Sequence, residues 1–254
     1  MARALILDCD GVLADTELDG HLVAFNQTFE ELGLPFRWSA EEYARLLKVG
    51  GGKERMRAYL AEHPELDVAS APDVDETVAA AHRRKSEIYV ELVEAGALPG
   101  RPGVRRLIGE ALDAGWKVAV ASTSAEKSVR AVLRSVVGED LYARVDGVWA
   151  GDVVPAKKPA PDIYELAVRE LGVERGEAVV VEDSEAGAKA AAAAGLTHVV
   201  TLSHFTRDDD FPAASVVVDH LGEPDDATAV RAGADVLNLG VVDVASLEAL
   251  LLAP

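Results

Sequence analysis

The sequence predicts an α/β fold: a Rossmann-like parallel sheet with helices on both faces, and an inserted α-helical cap domain. Three observations lead there. Short apolar runs of strand length alternate with helix-patterned segments, the signature of βαβ units. Several of those runs stop at carboxylates or hydroxyls, where open α/β sheets place their sites. Between the first two strand signals, residues 17–97 show helical periodicity and capping cues only.

The first strand, Ala4–Asp8, runs into Asp8-Cys9-Asp10-Gly11-Val12. Alternation along a strand puts Asp8 and Asp10 on one side, and Gly11 permits a sharp turn after them. Two adjacent carboxylates repel, so one takes a proton or a cation sits between them. The pair suggests a Mg²⁺ site in which one aspartate attacks and the other handles protons. A solvated aspartate pair in a turn fits these residues as well.

Within the insert, Ser39-Ala40-Glu41-Glu42 reads as a capping box and Ala80–Glu94 as a long helix. Leu98-Pro99-Gly100-Arg101-Pro102-Gly103 reads as a stiff linker returning the chain to the sheet. The core is thus expected at 1–16 and 98–254, and the cap at 17–97. Helix patterns follow at Gly103–Ala114, Glu126–Val136, Asp162–Leu171 and Glu185–Ala194, with strands at Lys117–Ser122, Ala178–Glu182 and His198–Thr201. The alanine run ending at Gly195 is a helix packed on the sheet with a glycine cap. Beyond Asp219 short apolar and acidic pieces alternate, with a last helix at Ser246–Leu251.

Three further features fall at strand ends or helix starts. Ser122-Thr123-Ser124 offers hydroxyls and amides for a phosphate, although a serine helix cap explains it too. In Lys157-Lys158-Pro159-Ala160-Pro161-Asp162 the prolines hold the lysine rigidly. Glu182-Asp183-Ser184 ends another apolar strand in adjacent carboxylates.

Asp-x-Asp-Gly-Val, Ser-Thr-Ser, Lys-Pro-Ala-Pro-Asp and Glu-Asp-Ser, in this order, resemble the four motifs of the haloacid dehalogenase superfamily, in its phosphatase and phosphomutase branch. The insert resembles that branch's small helical cap. The resemblance implies that Asp8 is the nucleophile, forming an aspartyl-phosphate, and that Asp10 protonates the leaving oxygen and then activates water. It implies that Ser122 and Lys158 hold phosphoryl oxygens, with Thr123 and Ser124 beside them. Mg²⁺ would be bound by Asp8, the Asp10 carbonyl and Asp183, with Glu182 assisting.

In the insert, Lys48-Val49-Gly50-Gly51-Gly52-Lys53-Glu54-Arg55 sets three glycines among cations in a protein of net charge -19. Backbone amides at such glycines can approach an anion; a flexible interhelical turn is the plainer alternative. Together with Asp15-Thr16-Glu17, His21 and Phe25-Asn26, this segment is similar to CbbY-type xylulose-1,5-bisphosphate phosphatases. That similarity implies substrate contacts at Glu17, His21, Lys48, Gly51, Gly52, Lys53, Arg55 and Lys85. A β-phosphoglucomutase-like mutase and a phosphoglycolate phosphatase share the core motifs, and a non-catalytic sugar-phosphate sensor is the reading from another class.

Composition bounds the partners. Apolar residues make up 49% and charged residues 27% of the 254 residues, ordinary for a globular protein. The negative charge argues against nucleic acid and anionic membranes. The lone Cys9 forms no internal disulfide, which fits a reducing compartment. Six histidines without ligand spacing give no zinc site. A small phosphorylated sugar as partner, a monomer, a cytoplasmic setting without a leader and Mg²⁺ as cofactor are the expectations.

Overall fold

The computed structural model describes residues 2–49 and 51–253. Two compact units emerge: Thr16–Ala97, and Met1–Asp15 with Leu98–Pro254. Among the described residues the smaller carries helices and no strand. A π-helical turn at Thr16–Leu22 leads into α1 (Val23–Glu31), followed by α2 (Ala40–Leu46), α3 (Gly52–Glu62) and α4 (Val74–Glu94), with a short 3₁₀ turn at Asp67–Ser70. Ser39 caps α2 by accepting from the Glu42 N–H at 3.1 Å. Phe25, Phe29, Trp38 and Tyr43 are fully buried; Phe25 and Tyr43 tilt against the Trp38 ring and Phe29 meets it edge-on. The buried Asn26 side chain locks this cluster: it donates to the Trp38 carbonyl at 2.9 Å and accepts from the Trp38 N–H at 2.8 Å. A buried amide satisfied at both ends fixes one packing arrangement.

The larger unit is built on one seven-stranded sheet. Its strands are β1 (Ala4–Leu7), β2 (Lys117–Ser122), β3 (Gly147–Ala150), β4 (Ala178–Glu182), β5 (Thr197–Thr201), β6 (Val216–Val218) and β7 (Val230–Gly233), in the order β3-β2-β1-β4-β5-β6-β7. Every pairing is parallel except β6 with β7. Five helices cover the sheet: α5 (Val104–Asp113), α6 (Glu126–Tyr142), α7 (Asp162–Leu171), α8 (Glu185–Ala193) and α9 (Val244–Leu252). On one face Ala4, Ile6, Ala119 and Val180 pack with Ile163, Tyr164, Ala190 and Ala191 of α7 and α8. The alternate residues Leu5, Leu7, Val118 and Val120 are buried as well. Both faces being covered, these strands read as continuous apolar runs.

Three strands escape the sequence reading. β3 is only half-buried, and β6 has three residues. β7 pairs antiparallel at the sheet edge and is mostly exposed, so its sequence carries little apolar pattern. α4 begins six residues before Ala80, and α6 continues past Val136 to Tyr142 with a kink at Gly138, whose φ is +80°. The supposed linker is part of the larger unit. Gly100 bridges to Ala14 and the Arg101 N–H donates to the Leu13 carbonyl at 2.9 Å, so these residues are pinned beside the β1 turn.

Candidate active site

β1 lies between β2 and β4, with Leu7 opposite both Val120 and Val181. The register therefore delivers Asp8, Ser122 and Glu182 to the same carboxyl edge of the sheet. This is where the strand order reverses, the place at which open α/β sheets form their crevice. Lys158 joins them from the segment before α7. Its Nζ donates to Asp8 Oδ1 at 2.8 Å, to Glu182 Oε1 at 2.6 Å and to the Ala121 carbonyl at 3.1 Å. All three side chains are almost sealed from solvent. The Tyr164 hydroxyl also donates to Glu182 Oε1, and the Lys158 ammonium lies 4.8 Å from the Tyr164 ring centre.

The remaining motif residues are placed as follows. Ser122 is buried, and its Oγ accepts from the Ser124 N–H at 3.2 Å. It does not cap α6, whose N-cap is Ala125 without a side-chain cap bond, so the helix-cap alternative falls. The Ser124 hydroxyl donates to Asp10 Oδ2. Asp10 sits in the turn after β1 and its backbone bridges to Ala14. Thr123 is half-buried beside them.

Burial pushes the Asp8 carboxyl up to about 7; Lys158 opposes this, while the Glu182 and Asp10 charges add to it. Burial, then the charges of Glu182 and Asp8, holds Asp183 well above the usual carboxylate range. Burial also acts upward on Glu182, but Lys158 and the donors around it outweigh this and hold it low. Lys158 is penalised by burial, yet Asp8 and Glu182 keep it charged. Three buried carboxylates thus crowd together, and the one ammonium among them contacts only Asp8 and Glu182.

That imbalance suits a hard dication. Oxygens of Asp8, Glu182 and Asp183 lie within 4.8 Å of one another, and all-oxygen donors are what Mg²⁺ takes. Glu182 already accepts from Lys158, Tyr164, the Asp183 N–H and Ser184, so Asp8 and Asp183 are the carboxylates with capacity for a metal. The Asp10 carboxylate lies outside the cluster.

Two glycines and one arginine, none marked by the sequence reading as site residues, complete the frame. A Cβ on Gly11 (φ +74°) would lie 1.9 Å from Asp183 Oδ2, and one on Gly187 would lie 1.9 Å from the Glu182 carboxylate. Arg101 is mostly buried. It donates to the carbonyls of Gly11, Thr201, Leu202 and Asp219 and to the Thr201 hydroxyl. It thereby ties the turn carrying Asp10 to the ends of β5 and β6. The only sequence cue was an arginine between a glycine and a proline.

In the helical unit the expected cap residues form two partly buried groups rather than one basic patch. Arg55 donates to the Tyr43 hydroxyl at 2.8 Å and to the Val49 carbonyl at 3.4 Å; Tyr43 in turn donates to Glu17 at 2.5 Å. Lys85 Nζ lies 2.9 Å from His21 Nδ1 and near the rings of Phe25 and Tyr89. Burial, then the charges of Lys85 and Arg55, holds His21 well below its usual range, so the imidazole is neutral. It therefore accepts from Lys85 at Nδ1 and carries its proton on Nε2. Lys48 is exposed and Lys53 half-buried. Gly51 (φ +91°) immediately precedes α3 with the Glu54 carboxylate against it, and Gly52 packs on His82. The chain's own carboxylate thus stands by Gly51 where an external anion was expected. Gly50 lies outside the described residues.

The profile of the haloacid dehalogenase-like hydrolases matches residues 2–195. The chain belongs to that family. This hydrolase is 48% identical over 226 residues to the CbbY-like protein of Arabidopsis thaliana, spanning 88% of this chain and 70% of that one. It is 44% identical to the plasmid-borne CbbY of Cupriavidus necator, covering 87% of each. A crystal structure of a CbbY mutant from Rhodobacter sphaeroides, in complex with xylulose-1,5-bisphosphate, superposes with a TM-score of 0.70 at 42% identity. It covers 87% of this chain and 95% of that one. Such membership makes the chain an enzyme, a hydrolase of the phosphatase type. Among the described residues no helix is long and apolar enough to cross a membrane.

Proposed function

We propose that this hydrolase is a Mg²⁺-dependent phosphatase of small phosphorylated sugars, acting through an aspartyl-phosphate on Asp8, with xylulose-1,5-bisphosphate as its substrate. The observation that carries the chemistry is the buried Lys158 ammonium held between Asp8 and Glu182. An ammonium at hydrogen-bond distance favours the ionised form of the attacking carboxylate against its burial and can be lent to phosphoryl oxygens. The substrate rests on the ligand bound by the 42% identical relative.

An Asp8 oxygen bonds to phosphorus as the ester oxygen departs with the proton of Asp10. Water then yields a proton to Asp10 and breaks the bond between Asp8 and phosphorus, releasing inorganic phosphate. Ser124 orients Asp10 through its hydroxyl. Ser122, whose oxygen accepts from Ser124 N–H, keeps its own proton for a phosphoryl oxygen. Lys158 and Ser122 hold the equatorial oxygens, on which the transferring group spreads its charge. Bound Mg²⁺, held by Asp8, Asp183 and the Asp10 carbonyl with Glu182 assisting, would neutralise that charge. Glu17, His21, Lys48, Lys53, Arg55 and Lys85 serve the sugar hydroxyls and the second phosphate.

Phosphate release from xylulose-1,5-bisphosphate, β-glucose 1-phosphate and phosphoglycolate, with Mg²⁺ and with excess chelator, tests this. The bisphosphate should have the highest kcat/KM, and chelator should stop turnover. Isomerisation of the hexose phosphate without phosphate release would assign a mutase instead.

A further inference from the structure

The larger unit contains a second polar cavity, of about 620 Å³, lined by Asp15, Arg101, His204, Arg207, Asp219, His220 and Arg231 among others. Its volume is in the range of small-molecule sites. Most of its lining, from Leu202 to Arg231, lies beyond the segment matched by the family profile. Three arginines and two histidines converge here in a chain of net charge -19.

The lining sets three arginines against two carboxylates. Asp219 is held by both nitrogens of one fork, Arg231 Nε at 2.8 Å and Arg231 Nη2 at 2.7 Å. Asp15 Oδ2 accepts from the His204 N–H at 3.1 Å. Arg101 gives its hydrogen bonds to carbonyls and a hydroxyl, and the charges of Asp183 and Asp15 act on it from nearby. Arg207 has no hydrogen bond or ion pair among the described residues, although its charge reaches both Arg101 and Asp219. Arg207 is exposed to solvent and lines the polar cavity together with Arg101 and Arg231, so its guanidinium is open to an incoming anion. Guanidinium forks match phosphate oxygens in pairs.

We infer that this cavity is a binding site for a compact phosphate-bearing anion, with Arg207 as its principal contact, separate from the Asp8–Lys158 centre. Arg101 gives it a physical link to that centre, because the same guanidinium holds the Gly11 carbonyl. The inference stands whichever sugar phosphate the enzyme hydrolyses.

The test is an NMR titration of the full chain with inorganic phosphate at constant ionic strength, reading the imidazole signals of His204 and His220. Both line this cavity, and neither belongs to the catalytic machinery. Saturable shifts of these two signals are expected, weakened roughly tenfold or more in Arg207→Ala, the loss of one charge-assisted contact. Chloride at matched ionic strength should give no saturable shift, and Arg207→Ala should keep the wild-type rate of phosphate release. Absent shifts, or shifts whose affinity is the same in Arg207→Ala, would overturn the inference.

Discussion

Lys158 shows how one residue sets the behaviour of several. It is the ammonium between Asp8 and Glu182, and breaking such a buried pair leaves carboxylates uncompensated at a cost of about 3–5 kcal/mol. Lys158→Ala should lose turnover and lower the denaturant midpoint by a matching amount in metal-free protein. A stable variant with unchanged midpoint would show that the pair matters less than its burial suggests. Asp8→Asn should fold as the wild type does and release no phosphate, since no other side chain in the proposal forms the covalent intermediate. The titration of Asp8 gives a third expectation. Its folded value of about 7 exceeds the ordinary 3.8, so ionisation opposes folding. The stability this group contributes is complete below about 3.8 and is lost as pH rises through about 7. In the proposed mechanism Mg²⁺ would bind the ionised form and relieve that loss. The rise in Tm caused by Mg²⁺ should therefore be larger near about pH 8 than near about pH 5.5. Calorimetry at both pH values decides it; equal increments would remove Asp8 from the metal site.

At the scale of elements, the loops after β1 and β4 owe their shape to residues with no chemistry of their own. Ser184 caps α8 by accepting from the Gly187 N–H at 3.1 Å, and its hydroxyl reaches Glu182 at 3.3 Å. Helix propensity alone would favour alanine at position 187 by about 1 kcal/mol. Yet a Cβ there would collide with the Glu182 carboxylate and displace Lys158 with it. Gly187→Ala should therefore cut kcat by about 10²-fold or more, with a stability loss of about 1–3 kcal/mol. Wild-type rates and stability in this variant would show that the carboxylate can shift without consequence. In the helical unit, Arg55 supports Tyr43 and Glu17 and is largely buried. Arg55→Ala should consequently lower Tm as well as raise KM for the bisphosphate, whereas Lys53→Ala should raise KM alone. A Tm unchanged by Arg55→Ala would show a contact to substrate only.

At the scale of the whole molecule, an enzyme of net charge -19 meets an anionic substrate. Its overall field opposes the encounter, and salt screens exposed charges beyond about 10 Å at ~0.1 M. kcat/KM should rise a few-fold as salt goes from about 10 mM to about 150 mM at constant Mg²⁺. A fall would mean that local cations dominate the approach. Much of this chain was legible in its sequence. Buried parallel strands show as apolar runs, and the residues that end them show as punctuation, so β1, β2, β4 and β5 and their terminal Asp8, Ser122 and Glu182 were all visible. Strands β3, β6 and β7 were not, because short, half-buried or edge segments need no apolar run of their own. The identity and order of the acid, hydroxyl and lysine motifs are local properties, written in consecutive residues and decided by the sequence itself. The partner of each group is not local. Lys158 meets Asp8 across 150 positions and Arg101 meets Asp219 across 118. Such pairs exist only once the sheet register has brought distant strand ends level, and the tertiary structure alone decided them.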